Sequence, residues 1–441
     1  MKAEILWAWR RLNANYWFYP ALFAALALVL AFACIWADRN GWAEFLNDVE
    51  WLAPARPQGA SNMLQVIAGS MIAVASTVFS ITIVAVSYAS STYGPRLLTN
   101  FMEDRGNQLS LATFIGTFVY ALTVLRTVRT EDESAALNVD AATTALPGFV
   151  PQLSLLVAFV LMAVSVGVLV YFLNHVPSAI RINKVIEGIG SRLMSMIAKT
   201  YPEKGDDDGP SERSRGRQLL AEKAGYIQLI DFEDLAGRAR ASDFEVTLLV
   251  RTGDFLHEGL PILEITRGSC SEEEMDKLRM CFTQGFARTP EQDPQFLIDE
   301  LVEIGLRALS PGINDPFTAV TSLHWLGAAT AELGCRRLVK DVCGDGEDDC
   351  PVLPKPDDFA HYVRRGFGAI RSAVATSPIA AKIMLETLRN AAATITAPQR
   401  RLLLLEEAKY LLQQSRLALS GPDLREVEER YAELEGDFTP G

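Results

Sequence analysis

Between Asn62 and Thr92 the chain carries no charged residue. A helix over this stretch is about 45 Å long, enough to cross the hydrocarbon core of a bilayer and run on beyond it. Its polarity is uneven. At 100° per residue, Gly69, Ser70, Ala73, Ser76, Thr77, Ser80, Ser87 and Ser91 share one arc, with Val84 the clear exception. Ile72, Val74, Val78, Phe79, Ile81, Ile83 and Val86 lie on the other side.

Two readings of the hydroxyl face stay open. Small residues let membrane helices approach closely, and Ser and Thr hydrogen-bond across the contact, which makes the face a packing seam, the commoner use of such a pattern. Alternatively, the hydroxyls line a wet path for an ion or small solute.

Three more spans follow from the same criterion. Residues 17–36 form an apolar run behind Lys2, Arg10 and Arg11, too long for a signal-peptide core and therefore read as a retained helix. Residues 109–125 repeat the small or polar side in Thr113, Gly116, Thr117, Tyr120 and Thr123, expected to face the first stripe or share a lumen with it. Residues 150–173 are almost uninterruptedly apolar. Trp7, Trp9, Trp17, Trp36, Trp42 and Trp51 cluster at the expected interfaces. After Tyr93-Gly94-Pro95-Arg96, apolar positions in 97–102 predict a short element on the membrane surface.

Charge sets the orientation. Basic residues concentrate at the N-terminus, in 93–107 and after Asn174, whereas the 37–61 and 126–149 connections are acid-rich. The positive-inside rule then places both termini in the cytoplasm, in keeping with four spans. The formal charge of the whole chain, −13, argues against nucleic acid as a partner. The six cysteines do not read as a disulfide framework in that compartment.

The expected fold is mainly α: a transmembrane block over 1–176, then a cytoplasmic α+β region. Residues 177–216 hold an amphipathic helix (180–200) and a linker, 217–268 a small β-rich unit, and 269–441 a helical domain. Within the β unit, Arg251–Phe255 through Gly259–Ile262 resembles the tight turn of biotinyl and lipoyl carrier barrels. The Met-Lys-Met-like tip those carriers modify is missing, and no cofactor is expected.

In the helical part, Asp293-Pro294 and Asp315-Pro316 each place a capping acid before a proline at the first helical position. Glu303 and Arg307 form an i,i+4 pair. Asp293, Asp299, Glu303, Arg307, Asn314 and Asp315 are the candidates for gathering around an ion or a cytoplasmic protein partner, set against plain capping and surface pairing. The acidic loop 341–350, with two cysteines, is read as solvated rather than as a cation site.

Tyr93-Gly94-Pro95-Arg96-Leu97-Leu98, Phe101 to Arg105, Gly116-Thr117-Phe118, and Ala308-Leu309-Ser310-Pro311-Gly312-Ile313-Asn314-Asp315-Pro316-Phe317-Thr318-Ala319 together resemble a bacterial family of predicted membrane proteins of unknown function. The resemblance spans nearly the whole chain. It implies a bacterial inner-membrane protein with an N-terminal transmembrane block and a cytoplasmic C-terminal region, and it implies no reaction or catalytic residue.

No phosphate-binding glycine loop or HExxH motif occurs, and His175, His257, His324 and His361 are dispersed. An enzyme is not expected. The leading expectation is a homo-oligomeric channel or solute-permeation protein in the lipid bilayer, lined by Ser70, Ser76, Thr77, Ser80, Ser87, Ser91, Thr113, Thr117 and Tyr120. The alternative is a membrane-anchored sensor or scaffold that binds a partner through its helical region.

Overall fold

The computed structural model describes residues 15–42, 56–94, 104–129, 149–201, 205, 216–340, 342–343 and 350–438. The surface element at 97–102, most of the 202–216 linker, most of the two acid-rich connections, and Trp7, Trp9 and Trp51 lie outside the described residues. The chain divides into two compact units, residues 1–181 and 182–441.

The described residues of the first unit form four helices, α1 (Phe18–Arg39), α2 (Pro57–Tyr93), α3 (Arg105–Leu125) and α4 (Gln152–Ala179). Each is long and apolar enough to cross a membrane. Helices suit this setting because they satisfy every backbone N–H and C=O within one segment where no water is available. α3 is the central element and packs on the other three. It buries Leu111, Ala112, Phe114, Tyr120, Ala121 and Val124.

One helix end in this unit is capped from a distance. Pro151 stands at the N-cap of α4 and makes no side-chain cap bond. Asp38, in the last turn of α1, takes its place. Its carboxylate accepts from the backbone N–H of Leu153 (2.9 Å) and Ser154 (3.0 Å) and from the Ser154 hydroxyl (2.7 Å). Asp38→Ala is expected to cost about 1–2 kcal/mol, the value of a lost cap, with Asp38→Asn retaining part of it. Thermal unfolding of the detergent-solubilised chain measures the loss.

The second unit opens with α5 (Ile182–Thr200), which buries Ile186, Ile189, Gly190, Leu193 and Ile197. A β-rich portion follows: β1 (Arg217–Leu220), β2 (Gly225–Ile230), α6 (Phe232–Ala241), β3 (Glu245–Leu248), β4 (Phe255–Leu256), β5 (Pro261–Arg267), α7 (Glu272–Arg279) and β6 (Phe282–Gly285). Then come α8 (Pro294–Ala308), α9 (Pro316–Gly334) and β7 (Val352–Leu353). The strands make two sheets, in the orders β1-β5-β3-β7 and β4-β2-β6. All pairs are antiparallel except β3 with β7. Leu219, Ile227, Leu248, Leu263, Leu235 and Leu278 share their core.

The β portion is therefore larger than the sequence pattern suggests, since β6 and β7 interrupt what reads as continuous helix from Ser271. Strands of four and two residues are too short to show an alternating period. The carrier-like turn is present as a structural device, with Gly253 at φ 89° and Gly259 at φ 84°, values that favour glycine.

Five more helices complete the unit: α10 (Phe359–Val363), α11 (Ala369–Val374), α12 (Pro378–Thr394), α13 (Pro398–Ala418) and α14 (Gly421–Gly436). One π-helical turn, Arg364–Gly368, joins α10 to α11. The cysteine reading needs correction, because Cys343 and Cys350 form a disulfide, with Cα atoms 5.9 Å apart. Both pack beside the β core. The pairing is local to one loop, so spacing along the chain shows no framework.

Candidate functional site

In the first unit the two hydroxyl stripes go to different places. α2 turns Leu64, Ile67, Ala68, Met71, Ala75, Val78, Thr82 and Ala89 inward. Ser70, Ser76, Thr77, Ser80, Ser87 and Ser91 are all exposed on the outside of the unit. A Cβ on Gly69 would meet nothing within 4 Å. The hydroxyls of Ser70, Thr77 and Ser80 donate to the carbonyls of Val66, Ala73 and Ser76 one turn back, at 2.6, 3.0 and 2.9 Å. That satisfies each donor locally and leaves its acceptor lone pairs facing outward.

The α3 stripe is internal instead. Thr117 Oγ1 lies 3.0 Å from Ser165 Oγ of α4, and the Tyr120 hydroxyl donates to the Ser154 carbonyl at 3.1 Å. Thr113 is half-buried and bonds to the Leu109 carbonyl at 2.8 Å. The expectation that the two stripes face each other or share a lumen is thus corrected within one copy. α2 spends a narrow apolar row on its neighbours, and α3, enclosed on three sides, turns its small residues to them.

One end of α3 carries a titratable cluster. Asp104 caps the helix by accepting from the Asn107 N–H at 3.2 Å, and His175 Nε2 of α4 lies 2.9 Å from its other oxygen. Tyr171 stacks on His175, with ring centroids 5.1 Å apart. Gly106 is required here: a Cβ would sit 2.6 Å from His175 Nε2. In the sequence His175 is one of four dispersed histidines, and no local pattern signals its carboxylate partner, 71 positions away.

The second unit buries a network of charge. Asp293 caps α8 by accepting from the Phe296 N–H at 3.2 Å, and it also holds Arg288, whose Nε lies 2.9 Å away. Arg288 Nη1 reaches Asp299 at 2.6 Å. Arg365, on the π-helical turn, forks onto both oxygens of Asp299 at 2.6 and 2.7 Å. Burial pushes the Asp293 carboxyl up, and Arg288 opposes that shift. Gly253 borders this group and leaves no room for a Cβ against the Asp293 carboxylate.

A second carboxylate, Asp357, centres the neighbouring group. It accepts from the hydroxyl of Tyr201 and forms ion pairs with Arg251, whose Nε is 2.8 Å away, and Lys340, whose Nζ is 3.9 Å away. Tyr201 in turn meets the Tyr362 hydroxyl at 2.8 Å. Burial, followed by Tyr362 and Asp357, pushes the Tyr201 phenol well above its ordinary range. His361 nearby is held below the usual imidazole value by burial, then by Arg365 and Arg251.

Of the six candidates in this unit, the structure brings Asp293 and Asp299 together, with the Arg288 guanidinium between them where a bound cation would stand. Glu303 pairs with Arg307 at 3.5 Å farther along α8. Asn314, at φ 49°, and Asp315 lie beyond its far end. Asp315 caps α9 by accepting from Thr318 N at 3.2 Å and from the Thr318 hydroxyl at 2.6 Å. The 15-residue length of α8 separates its two ends by about 22 Å, so the six do not surround one point. Among the described residues no group of three or more His, Cys, Asp or Glu side chains is placed to hold a metal.

A family model described as a predicted membrane protein (DUF2254) matches residues 13–390. Two uncharacterized mycobacterial proteins, Mb1321c of Mycobacterium bovis and Rv1290c of Mycobacterium tuberculosis, are each 32% identical over 356 residues. The match covers 78% of this chain and 66% of each relative, so the chain spans just under two thirds of their length. No solved structure matches it.

Proposed function

The chain belongs to the DUF2254 family of predicted membrane proteins, and from that premise we propose that it works as a homo-oligomer whose copies meet along the hydroxyl face of α2, the line between them forming a path for an ion or small solute. One observation carries this reading: the stripe faces away from its own unit. Lipid offers hydroxyl oxygens no partner, whereas a second copy or a file of water does. The interior of a single unit is a poor alternative, since Leu64, Phe114, Tyr120 and Phe172 fill it.

The role involves no bond-making chemistry and no cofactor. Both termini face the cytoplasm in this proposal, as the distribution of Lys and Arg favours. Purified protein reconstituted in liposomes is expected to raise ion or small-solute flux above that of empty vesicles, and to crosslink between copies through Ser76→Cys. Flux equal to empty vesicles across salts, pH and voltage would sink the permeation half. A strictly monomeric protein in lipid would sink both halves.

A further inference from the structure

The Cys343–Cys350 bond stands just ahead of the segment that carries β7 and Asp357. β7 is only Val352 and Leu353, and it holds to β3 as the last strand of its sheet. Val246 N donates to the Pro351 carbonyl at 2.8 Å, and Val246 and Thr247 face Val352 and Leu353 in parallel register. A parallel pairing two residues long, at a sheet edge, is weak by itself.

The residues after β7 are held by polar contacts that require β7 to be in place. Lys355 Nζ lies 3.3 Å from Asp254, and Arg251 donates to the Pro356 carbonyl. Asp357 N donates to the Leu338 carbonyl at 3.2 Å, and its carboxylate meets Arg251, Lys340 and Tyr201. The disulfide supplies the missing anchor. Val342 and Cys343 pack beside the β core, so the bond pins Cys350, and with it the start of β7, to that core. Both cysteines are only half-buried, which leaves the bond within reach of a small reagent.

We propose that Cys343–Cys350 is a reversible redox site, reduced by a small dithiol, that controls the docking of β7 and through it the placing of Asp357 against Arg251 and Tyr201. A thiolate of the dithiol attacks one sulfur and the Cys–Cys bond breaks, leaving a mixed disulfide. The second thiol of the reagent resolves it. Two protein thiols form and the reagent leaves as its own disulfide, two electrons and two protons having passed to the protein. The ring closed by the bond has a sequence separation of only 7. Opening a ring of this size favours the undocked segment by about ten- to 100-fold in the chain-entropy picture. The sheet itself survives, because β3 keeps β5 on its other side.

Hydrogen exchange of the full-length chain in detergent tests this, in protein oxidised with diamide and then treated with dithiothreitol. Alkylation and peptide mass analysis establish the state of Cys343 and Cys350 in each sample. Reduction is expected to lower protection about ten- to 100-fold in peptides carrying the Val246 and Asp357 amides. Protection of α8 and α9 should stay unchanged, and reoxidation should restore the rest. Cys343→Ser with Cys350→Ser should show the reduced pattern and no response to the dithiol. A pair that fails to close under diamide overturns the proposal, as does unchanged protection at Val246 and Asp357 after reduction. A bond that resists the dithiol until the chain is denatured, or whose reduction strips protection from α8 and α9 as well, makes it a structural staple and overturns the proposal equally.

Discussion

Asp299→Ala is expected to destabilise the second unit by about 3–5 kcal/mol, because it removes the carboxylate that two partly desolvated guanidinium groups, Arg288 and Arg365, share. Arg288 keeps Asp293 as a partner. Arg365 loses both of its bonds to Asp299, and 30% of its side chain remains in reach of water. The lower part of the range is therefore the better expectation. Hydrogen exchange of the full chain in detergent reads the effect locally, as protection lost in α8 and the α10–α11 segment, by about two orders of magnitude for 3 kcal/mol.

The double replacement Asp299→Leu with Arg365→Met separates charge from packing. Exchanging a buried ion pair for apolar side chains of similar volume is often neutral, so this variant should recover part of the stability lost in Asp299→Ala. A double variant as unstable as the single one would show that the network matters through shape rather than charge. Asp299→Ala with wild-type protection would remove the network from any account of what holds the unit together.

The four spans were legible because an uncharged apolar run about as long as the hydrocarbon core is thick leaves one solution. So were the caps at Asp293 and Asp315, where an acid stands directly before proline. The distant pairings were not. Asp38 meets Ser154, His175 meets Asp104, and Arg365 meets Asp299, each across dozens of residues with no local pattern to announce it. The direction of the α2 stripe was equally hidden, since helical periodicity says which residues share a face but not what that face touches. The Cys343–Cys350 bond bears on orientation as well. A persistent disulfide suits an oxidising compartment, which counts against the cytoplasmic placement proposed above for the second unit.

Ser80→Leu is the sharpest probe of that stripe. Ser80 is exposed on its own unit and bonds only within α2, so the bulkier side chain leaves the fold of one copy intact. If two copies close on the stripe as a seam, the added bulk overpacks it at a cost of about 1–3 kcal/mol, which weakens association about five- to 150-fold. If the face lines water, assembly survives and flux falls as the path narrows or dewets. Thr82→Leu is the internal comparison. Thr82 is 4% exposed on the inward row, so the same bulk there should destabilise the unit itself before any effect on assembly. Ser80→Cys, in a chain with Cys34 replaced, adds chemical access: a water-lined site reacts with a membrane-impermeant thiol reagent and a packed seam does not. A Ser80→Leu protein with unchanged assembly and flux, and no labelling at position 80, would place the hydroxyl face against lipid. The outward stripe would then have no partner, and the oligomer built on it would fall.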